Sequence, residues 1–318
     1  MKKNIATIFT VIITLVLSVL GFILGGFNLS ELQLETFNIL IIVCIASMAY
    51  CFIVGEISGN NSQMDKLWSI LPIAYAWIVA IKGGMHLRLI VMAILITIWG
   101  VRLTINFAKK GAYSFKFWAG EEDYRWIVLR KDPKLSKKWK WALFDLFFIS
   151  IFQNALVLAI TLPLLAVMES PEALNVFDAI VAAFVLGFII LETIADRQQM
   201  SFQTTKYSLL KDKKNLKDLP SPYHLGFNTK GLWGHSRHPN YFAEQSIWFV
   251  LYFFVLSAGV TSYIFFNWTL IGSMVLILLF MGSSAFAEKI SLSKYPKYQD
   301  YINKVSKYVP LRKYDGSQ

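Results

Sequence analysis

The stretch GLWGHSRHPNYFAE places groups that can bind an anion beside groups that donate and accept hydrogen bonds. Pro239 suits the first turn of a helix, because its missing N–H would have no partner there and its φ angle is helical. Arg237 and His238 would then precede a helix N-terminus, where backbone N–H groups and the helix dipole favour an anion. Asn240 and Glu244 follow one turn apart on one helix face. The stretch therefore predicts an anion site with hydrogen-bonding groups leading away from it.

This stretch has two other interpretations. His235 and His238 are three residues apart, but the intervening chain precedes Pro239, and the other histidines are isolated in the sequence. A shared helical face is therefore not expected, and no metal site is predicted. A structural anchor, in which Arg237 reaches a phospholipid headgroup, stays open.

A second polar group lies in LETIADRQQMSFQ, at the end of an apolar stretch. Glu192, Asp196 and Gln199 recur at the i, i+4 and i+7 positions, so a helix would present them on one face. Such a face can receive a polar ligand. Alternatively, the carboxylates pair with Arg197 or with a neighbouring span.

The C-terminal tail alternates tyrosine and lysine over YPKYQDYINK, with Tyr298 near its centre. Aromatic and basic residues often form a belt at the membrane interface. Tyrosine faces and lysine charges can equally cover an adenine ring and its phosphates. On these residues alone, the interfacial belt is favoured.

In the N-terminal half, Asp65 and Trp68 begin one apolar window and Tyr124 lies in a basic loop. Arg102 falls within an apolar window, and a charge at that depth needs a partner or a cavity. We expect Asp65 or Asp123 to supply the partner.

The composition indicates an all-α, polytopic membrane helix bundle. Apolar residues make up 56% of the 318 residues and charged residues 16%. About 20 apolar residues are needed to cross a bilayer. Eight windows qualify, namely 5–27, 37–55, 67–83, 89–107, 141–167, 177–196, 241–258 and 264–283. The first is interpreted as a retained helix rather than a secretory signal, and seven spans are possible if one of the first four does not cross.

The charge distribution sets the predicted orientation. Of the 31 lysines and arginines, 25 lie in residues 108–140, 197–240 and 288–318. With eight spans these segments share one side, which the positive-inside rule assigns to the cytoplasm together with both termini. Lys82 and Arg88 fit this orientation least well, because they lie in the connection after the third window, on the opposite side. The basic residues behind the net charge of +11 are therefore expected to bind lipid headgroups and a nucleotide, with no nucleic-acid role.

No GxGxxG and no GxxxxGK[ST] occurs, so a bound nucleotide would have to be held by membrane helices and their loops. The motifs EDYR, ETIADRQ, GLWGHSRHPNYFAE and YPKYQDY resemble, in this order along the chain, the steroid 5-alpha-reductase family and specifically its bacterial DUF1295 branch. The resemblance runs from about Asp65 to Leu311. It divides the chain into an N-terminal transmembrane extension, 1–60, and a reductase-like membrane domain, 61–318.

The resemblance implies NADPH in a cytoplasm-facing site and reduction of a conjugated C=C bond in a steroid-like or other lipophilic enone. Hydride would reach the β-carbon, the protein would stabilise the negative charge on the carbonyl oxygen, and a proton would return to the α-carbon. The implied cofactor residues are Asp196, Gln199, Arg237, His238, Asn240, Tyr241, Glu244 and Tyr298. Asp65 and Tyr124 are the catalytic candidates, and Trp68 and Arg102 the substrate candidates. Ser284 stands where a family histidine is expected, which weakens the likeness to animal steroid reductases.

Relatives with an RHP core include sterol reductases and isoprenylcysteine carboxyl methyltransferases. A membrane methyltransferase that uses S-adenosylmethionine is therefore one alternative, and a non-catalytic lipid-binding or transport protein is another. The expected partners are a lipophilic small molecule and membrane lipid. The expected location is the bacterial inner membrane, with the cofactor site facing the cytoplasm.

Overall fold

A computed structural model describes residues 27–311 apart from Pro171, Lys213, Lys214 and 261–266, together with Lys313, Tyr314 and positions 12, 16, 19, 20 and 23. All regular secondary structure in the described residues is helical, with no β-strand; one isolated parallel bridge joins Ser236 and Ser306. The all-α prediction is therefore confirmed.

The helices are α1 (Glu31–Ser58), α2 (Gln63–Leu67), α3 (Leu71–Lys82), α4 (Leu87–Lys109), α5 (Tyr124–Arg130), α6 (Lys138–Val167), α7 (Val176–Asp212), α8 (Pro239–Leu251), α9 (Phe253–Ser257), α10 (Ile271–Lys294) and α11 (Tyr298–Lys304). Five of them, α1, α4, α6, α7 and the stretch Trp268–Lys294 that includes α10, are long and apolar enough to cross a membrane. This indicates an integral membrane protein.

Two of the eight predicted windows do not appear as spans of this length among the described residues. Window 67–83 contains α3, which has only 12 residues. Window 241–258 is divided at Tyr252 into α8 and α9. Window 5–27 lies almost entirely outside the described residues. Apolar composition alone therefore located the helices but did not settle how many cross the membrane.

Local sequence explains where α1 begins and ends. Ser30 accepts a hydrogen bond from the backbone N–H of Gln33, and the Gln33 side chain accepts one from the N–H of Ser30. This capping box satisfies two N–H groups that the first turn leaves without partners. Gly59 ends the helix at a φ of 70°, a left-handed conformation that glycine adopts without a Cβ clash.

The chain forms two compact units. Unit 1 comprises Met1–Ala182 and Phe249–Leu276. Within it, α3 approaches α4 closely at Gly100, where a Cβ atom would lie 2.5 Å from the carbonyl oxygen of Ser69. Such contacts let two helix backbones pack without a side chain between them.

Two ion pairs in unit 1 explain the basic residues that fitted the predicted orientation least well. Lys82 Nζ lies 2.5 Å from Glu35 Oε1. Arg88 and Asp178 are both almost completely buried and join at 2.9 Å. Glu35 lies in α1, and Asp178 lies in the first turn of α7. These pairs compensate the positive charge of Lys82 and Arg88.

Unit 2 comprises Ala183–Trp248 and Ile277–Gln318. The C-terminal tail runs along the segment that precedes α8. The backbone N–H of Arg237 donates to the Ser306 carbonyl at 2.9 Å, and that of His238 donates to Lys307 at 3.1 Å. A small core packs α11 against the loop that precedes α8, and it contains Phe227, Tyr298, Tyr301, Ile302 and Val305.

Candidate functional site

Helix α8 begins at Pro239, as the sequence predicted. One turn of α8 meets α7 where Asn240 Nδ2 donates a hydrogen bond to Asp196 Oδ1 at 3.2 Å. The two polar faces recognised in the sequence therefore share a contact within unit 2.

This part of unit 2 is rich in carboxylates. Glu192 is 4% exposed on α7, and Glu244 is 4% exposed on α8. Trp248 Nε1 donates to Glu244 Oε1 at 3.2 Å, which fixes the carboxylate against α8. With Asp196, the polar faces of α7 and α8 carry three acidic side chains, so they offer mainly hydrogen-bond acceptors.

Two buried amide oxygens on these faces have no hydrogen-bond partner among the residues that the structure describes. They are Gln199 Oε1 on α7 and Asn240 Oδ1 on α8. A buried acceptor without a partner costs roughly 1–3 kcal/mol. Such orphaned atoms are expected where a bound molecule supplies the missing donors.

Arg237 occupies the centre of a hydrogen-bond network that precedes α8. Its Nε donates to Glu288 Oε1 at 2.7 Å, and its Nη1 donates to the carbonyls of Ile302 and Val305. The side chain is 7% exposed. Nη2 is the guanidinium nitrogen that takes no part in these bonds in the described part of unit 2. Arg237 thus ties the segment before α8 to α10 and to α11.

His238 shares the same carboxylate. Its Nε2 lies 3.1 Å from Glu288 Oε1, and because a carboxylate accepts, Nε2 carries the proton. Burial lowers the pKa of His238, although the hydrogen bond and charge of Glu288 raise it in part. The imidazole is therefore neutral at pH 7 with Nδ1 as its acceptor. Its ring stacks on Tyr241 with centroids 5.2 Å apart.

Sequence reasoning missed Tyr308 beside this group. Its hydroxyl lies 2.7 Å from Ser284 Oγ, and its ring centroid is 6.2 Å from that of His238. Burial raises the pKa of Tyr308 to about 12. Ser284, which stands where the resemblance predicts a histidine, thus forms a hydroxyl–hydroxyl hydrogen bond with Tyr308. No spacing rule joins these two residues, which lie 24 positions apart.

Tyr298, assigned to the cofactor from the resemblance, lies in the small core of unit 2. It is 5% exposed, and its ring packs edge-on against Phe227 at 4.9 Å. Burial in this core gives the residue a structural role independent of any ligand.

Asp65 lies in a compact acidic and aromatic group of unit 1. Trp126 Nε1 donates to Asp65 Oδ2 at 2.7 Å, and Arg125 Nη2 lies 3.7 Å from Oδ1. Burial raises the pKa of Asp65 and the charge of Asp123 adds to this, whereas the charge of Arg125 lowers it; the net shift is upward. The carboxyl therefore keeps its proton to a higher pH than an ordinary aspartate does.

The expected pairing of Arg102 with Asp65 or Asp123 was wrong. Both carboxylates face Arg125 instead, and Asp123 Oδ1 lies 2.8 Å from Arg125 Nε. Asp123 caps the N-terminus of α5, which places Arg125 two residues away in the first turn. Sequence proximity explains the pairing of Asp123, whereas Asp65 reaches Arg125 from 60 positions away in the chain.

The remaining candidates in unit 1 occupy different environments. Trp68 is half-buried and ends α2. Arg102 is partly buried on α4. Tyr124 begins α5 and is 49% exposed. The structure does not identify a shared pocket for these three side chains.

A buried polar group around Asp145 was also missed. Asn61 Oδ1 accepts from Arg130 Nη2 at 2.7 Å and from Trp141 Nε1 at 3.0 Å. These two donors orient the amide, so Asn61 Nδ2 donates to Asp145 Oδ2 at 2.8 Å. Asp145 is 1% exposed. The rule that a carboxylate inside an apolar window marks a special site would have identified it.

The polar contacts continue into the helix bundle. Asp145 begins a π-helical segment of α6, Asp145–Phe152, a geometry that is often found at functional sites. Further along α6, Asn154 accepts from Ser47 Oγ at 2.6 Å and donates to the sulfur of Cys51 at 3.7 Å. Cys44 and Cys51 are both free and buried.

No group of three or more His, Cys, Asp or Glu side chains in the described ranges has an arrangement that could hold a metal ion.

The helices and their buried polar groups define an all-α integral membrane protein. Comparison with known proteins then places the chain: it belongs to DUF1295, a family of proteins of unknown function, whose profile matches residues 51–305. An uncharacterized protein of Schizosaccharomyces pombe is 34% identical over 290 residues, which cover 86% of this chain and 80% of that protein. No solved structure matches. The DUF1295 part of the resemblance is confirmed, whereas its link to steroid 5-alpha-reductases and to a bacterial branch stays a prediction.

Proposed function

We propose that the chain is an integral membrane reductase that uses NADPH to reduce a conjugated C=C bond in a steroid-like or other lipophilic enone. The observation that carries the proposal is the pair of orphaned acceptors, Gln199 Oε1 and Asn240 Oδ1, beside the contact between Asp196 and Asn240. Membrane lipid is the second proposed partner. The proposed location is the bacterial inner membrane, with this site facing the cytoplasm.

The residues of unit 2 fit the donor groups of a dinucleotide. Ribose hydroxyls and the nicotinamide carboxamide can donate hydrogen bonds, and the two oxygens without partners would accept them. Arg237 Nη2 is left to meet a phosphate oxygen. Tyr241 and neutral His238 form a stacked pair beside Arg237. When bound, NADPH supplies the hydride; these residues would hold and orient it.

In unit 1, Asp65 is the proposed acidic group. Its raised pKa keeps a proton available at higher pH than for an exposed aspartate, and Trp126 fixes one of its oxygens. Tyr124 is the proposed phenol, and Trp68 and Arg102 are the proposed substrate residues. The exposure of Tyr124 makes it the weakest of these assignments on structural grounds.

One observation favours a second candidate, a methyltransferase that uses S-adenosylmethionine. The three carboxylates on the polar faces of α7 and α8 would attract the sulfonium and ammonium charges of that cofactor. A non-catalytic lipid-binding or transport protein is the third candidate.

Thermal stability with each ligand separates these candidates. A ligand that binds the folded state at about 100 times its dissociation constant adds about 2.7 kcal/mol of stability. NADPH should raise the melting temperature of the detergent-solubilised protein, whereas S-adenosylmethionine should not. Asn240→Ala should reduce the NADPH shift, and the exposed Asn303→Ala should leave it unchanged. A shift with the methyl donor alone would sink the reductase proposal, and no shift with either ligand would favour the non-catalytic candidate.

Arg237→Ala tests how the cofactor is recognised. If Arg237 Nη2 meets the ribose phosphate, the variant should weaken NADPH binding more than NADH binding. Equal losses would assign Arg237 to the pyrophosphate or to structure. The ratio of the two affinities is the readout, because loss of the Glu288 pair affects both ligands alike.

A further inference from the structure

The loop between α4 and α5 exposes large aromatic side chains. We define residues 113–119 as the aromatic loop. Phe115 is fully exposed, Phe117 is 57% exposed and Trp118 is 42% exposed. The rings of Phe117 and Trp118 contact each other edge-on at 4.8 Å. Three neighbouring aromatic residues that face outward form an apolar surface that is unfavourable in water.

Buried polar side chains hold this loop in place from its inner side. Lys66 is 5% exposed, and its Nζ donates to the carbonyls of Phe117 at 3.1 Å and Ala119 at 2.7 Å. Gln63 Nε2 donates to the Trp118 carbonyl at 3.1 Å. Three consecutive carbonyls are thus satisfied by two side chains of α2.

Bonds at both ends complete the support. The Tyr113 hydroxyl donates to the Lys66 carbonyl at 2.9 Å, and Asn60 Nδ2 donates to the Gly120 carbonyl at 3.0 Å. Gly120 has a φ of 109°, which a residue with a side chain rarely adopts. These bonds fix the backbone, so the aromatic side chains cannot turn inward by a local rearrangement of the loop.

The loop lies where it would meet the membrane surface. It follows the end of α4 at Lys109 and is bonded to α2, which follows the end of α1 at Ser58. Both α1 and α4 are candidate spans. The exposed Lys109, Lys110 and Lys116 bring positive charge to the same segment. Aromatic rings and lysines together are typical of the bilayer interface, where lysines attract anionic headgroups.

Helix α5, which follows the loop, has an apolar outer face of the same kind. Tyr124, Ile127 and Val128 are exposed and lie on one side, whereas Trp126 and Arg130 are held inward by Asp65 and Asn61.

We propose that the aromatic loop is a membrane-anchoring site whose three aromatic side chains insert into the interfacial layer of an anionic phospholipid bilayer. The lysines beside it bind the headgroups, and the contacts with α2 keep the rings directed into the lipid. This site is independent of the proposed reductase activity, because its residues belong to unit 1 and none is assigned to NADPH.

Spin labels can locate the loop in the membrane. A nitroxide would be attached at Phe115→Cys and, as a matched control in the same basic segment, at the exposed Lys134→Cys. The native chain, treated with the same spin label, reports any background from Cys44 and Cys51. In vesicles of phosphatidylglycerol and phosphatidylcholine, oxygen should relax the label at 115 more than a water-soluble nickel chelate does, and the order should reverse at 134.

Two results at position 115 would overturn the proposal. Preferential relaxation by the nickel chelate, as at 134, would show that the loop faces water. Shielding from both reagents would show that a protein partner or a second copy covers it. Matching melting temperatures of the labelled and native chains would establish that the label had not disturbed the fold.

The headgroup requirement has its own test. Vesicles of phosphatidylcholine alone should increase nickel access at 115, and so should neutralisation by Lys109→Gln, Lys110→Gln and Lys116→Gln in anionic vesicles. Equal accessibility in all three samples would overturn the anionic part of the proposal.

Discussion

Arg237 and Glu288 join the segment before α8 to the end of α10 through a 2.7 Å ion pair in which both side chains are largely buried. A buried charge that loses its partner is strongly destabilising, because it cannot regain its hydration. The pair therefore holds the polar end of unit 2 together whether or not a ligand is bound.

Glu288→Gln should lower the stability of the protein by about 3 kcal/mol, since it leaves the Arg237 guanidinium without a countercharge. Asp300→Asn is the matched control, because Asp300 and Lys304 form an exposed i,i+4 pair at 3.3 Å, which contributes about 0.5 kcal/mol. Thermal unfolding in detergent measures both variants. Equal small effects would show that the Arg237 pair is not structural.

His238 should make stability depend on pH. Burial lowers its pKa below the unfolded value of about 6.5. The neutral form therefore stabilises the fold above that value, and this contribution is lost as the pH falls through the lower pKa of the folded state. Melting temperature measured from pH 7.5 to 5 should fall less steeply for His238→Gln than for the native chain. His235→Gln, in the same segment but partly exposed, should keep the native slope.

Asn61→Ala should destabilise unit 1 by about 2–4 kcal/mol, because it removes the partner of the Asp145 carboxylate and of the Trp141 N–H at once. Asn60→Ala is the neighbouring control, since its side-chain bond to the Gly120 carbonyl is exposed. Thermal unfolding should separate the two variants clearly. Similar melting temperatures would contradict the central role assigned to Asn61.

Gly100→Ala should destabilise the contact between α3 and α4 by about 1–3 kcal/mol, because the new methyl would lie 2.5 Å from the Ser69 carbonyl and 2.7 Å from Ile73. Gly187→Ala in α7 has open space around the added methyl. It should be neutral or slightly stabilising, since alanine favours helix. Thermal unfolding of both variants is the measurement. An equal loss of stability in both would show that the Gly100 effect comes from replacing a helical glycine and not from the close contact with Ser69.

Several features of unit 2 were predictable from spacing along the chain. Pro239 has the φ angle and missing donor that suit a helix start, and α8 begins there. Asp196 and Asn240 were each placed on a polar helix face, and these faces meet. Helical periodicity specifies which side of a helix a residue occupies, so such predictions need no tertiary information.

Partnerships between distant residues were not predictable. The sequence indicated a charge at Arg237 but not that Glu288, 51 residues later, neutralises it. Asp145 and Asn61 are 84 residues apart and meet only because α6 packs beside the start of α2. Asp65 and Asp123 were expected to face Arg102 but pair with Arg125, because the depth of a charge in an apolar window does not reveal which groups lie beside it.

The sequence by itself determined that this is a helical membrane protein, where its helices lie and which of their faces are polar. Those properties follow from local composition and from the period of the helix. Only the tertiary structure decided which polar groups satisfy one another and which, like Gln199 Oε1 and Asn240 Oδ1, have no partner among the described residues. Hydrogen bonds need atoms within about 3.5 Å, and that proximity is created by packing between segments far apart in the chain.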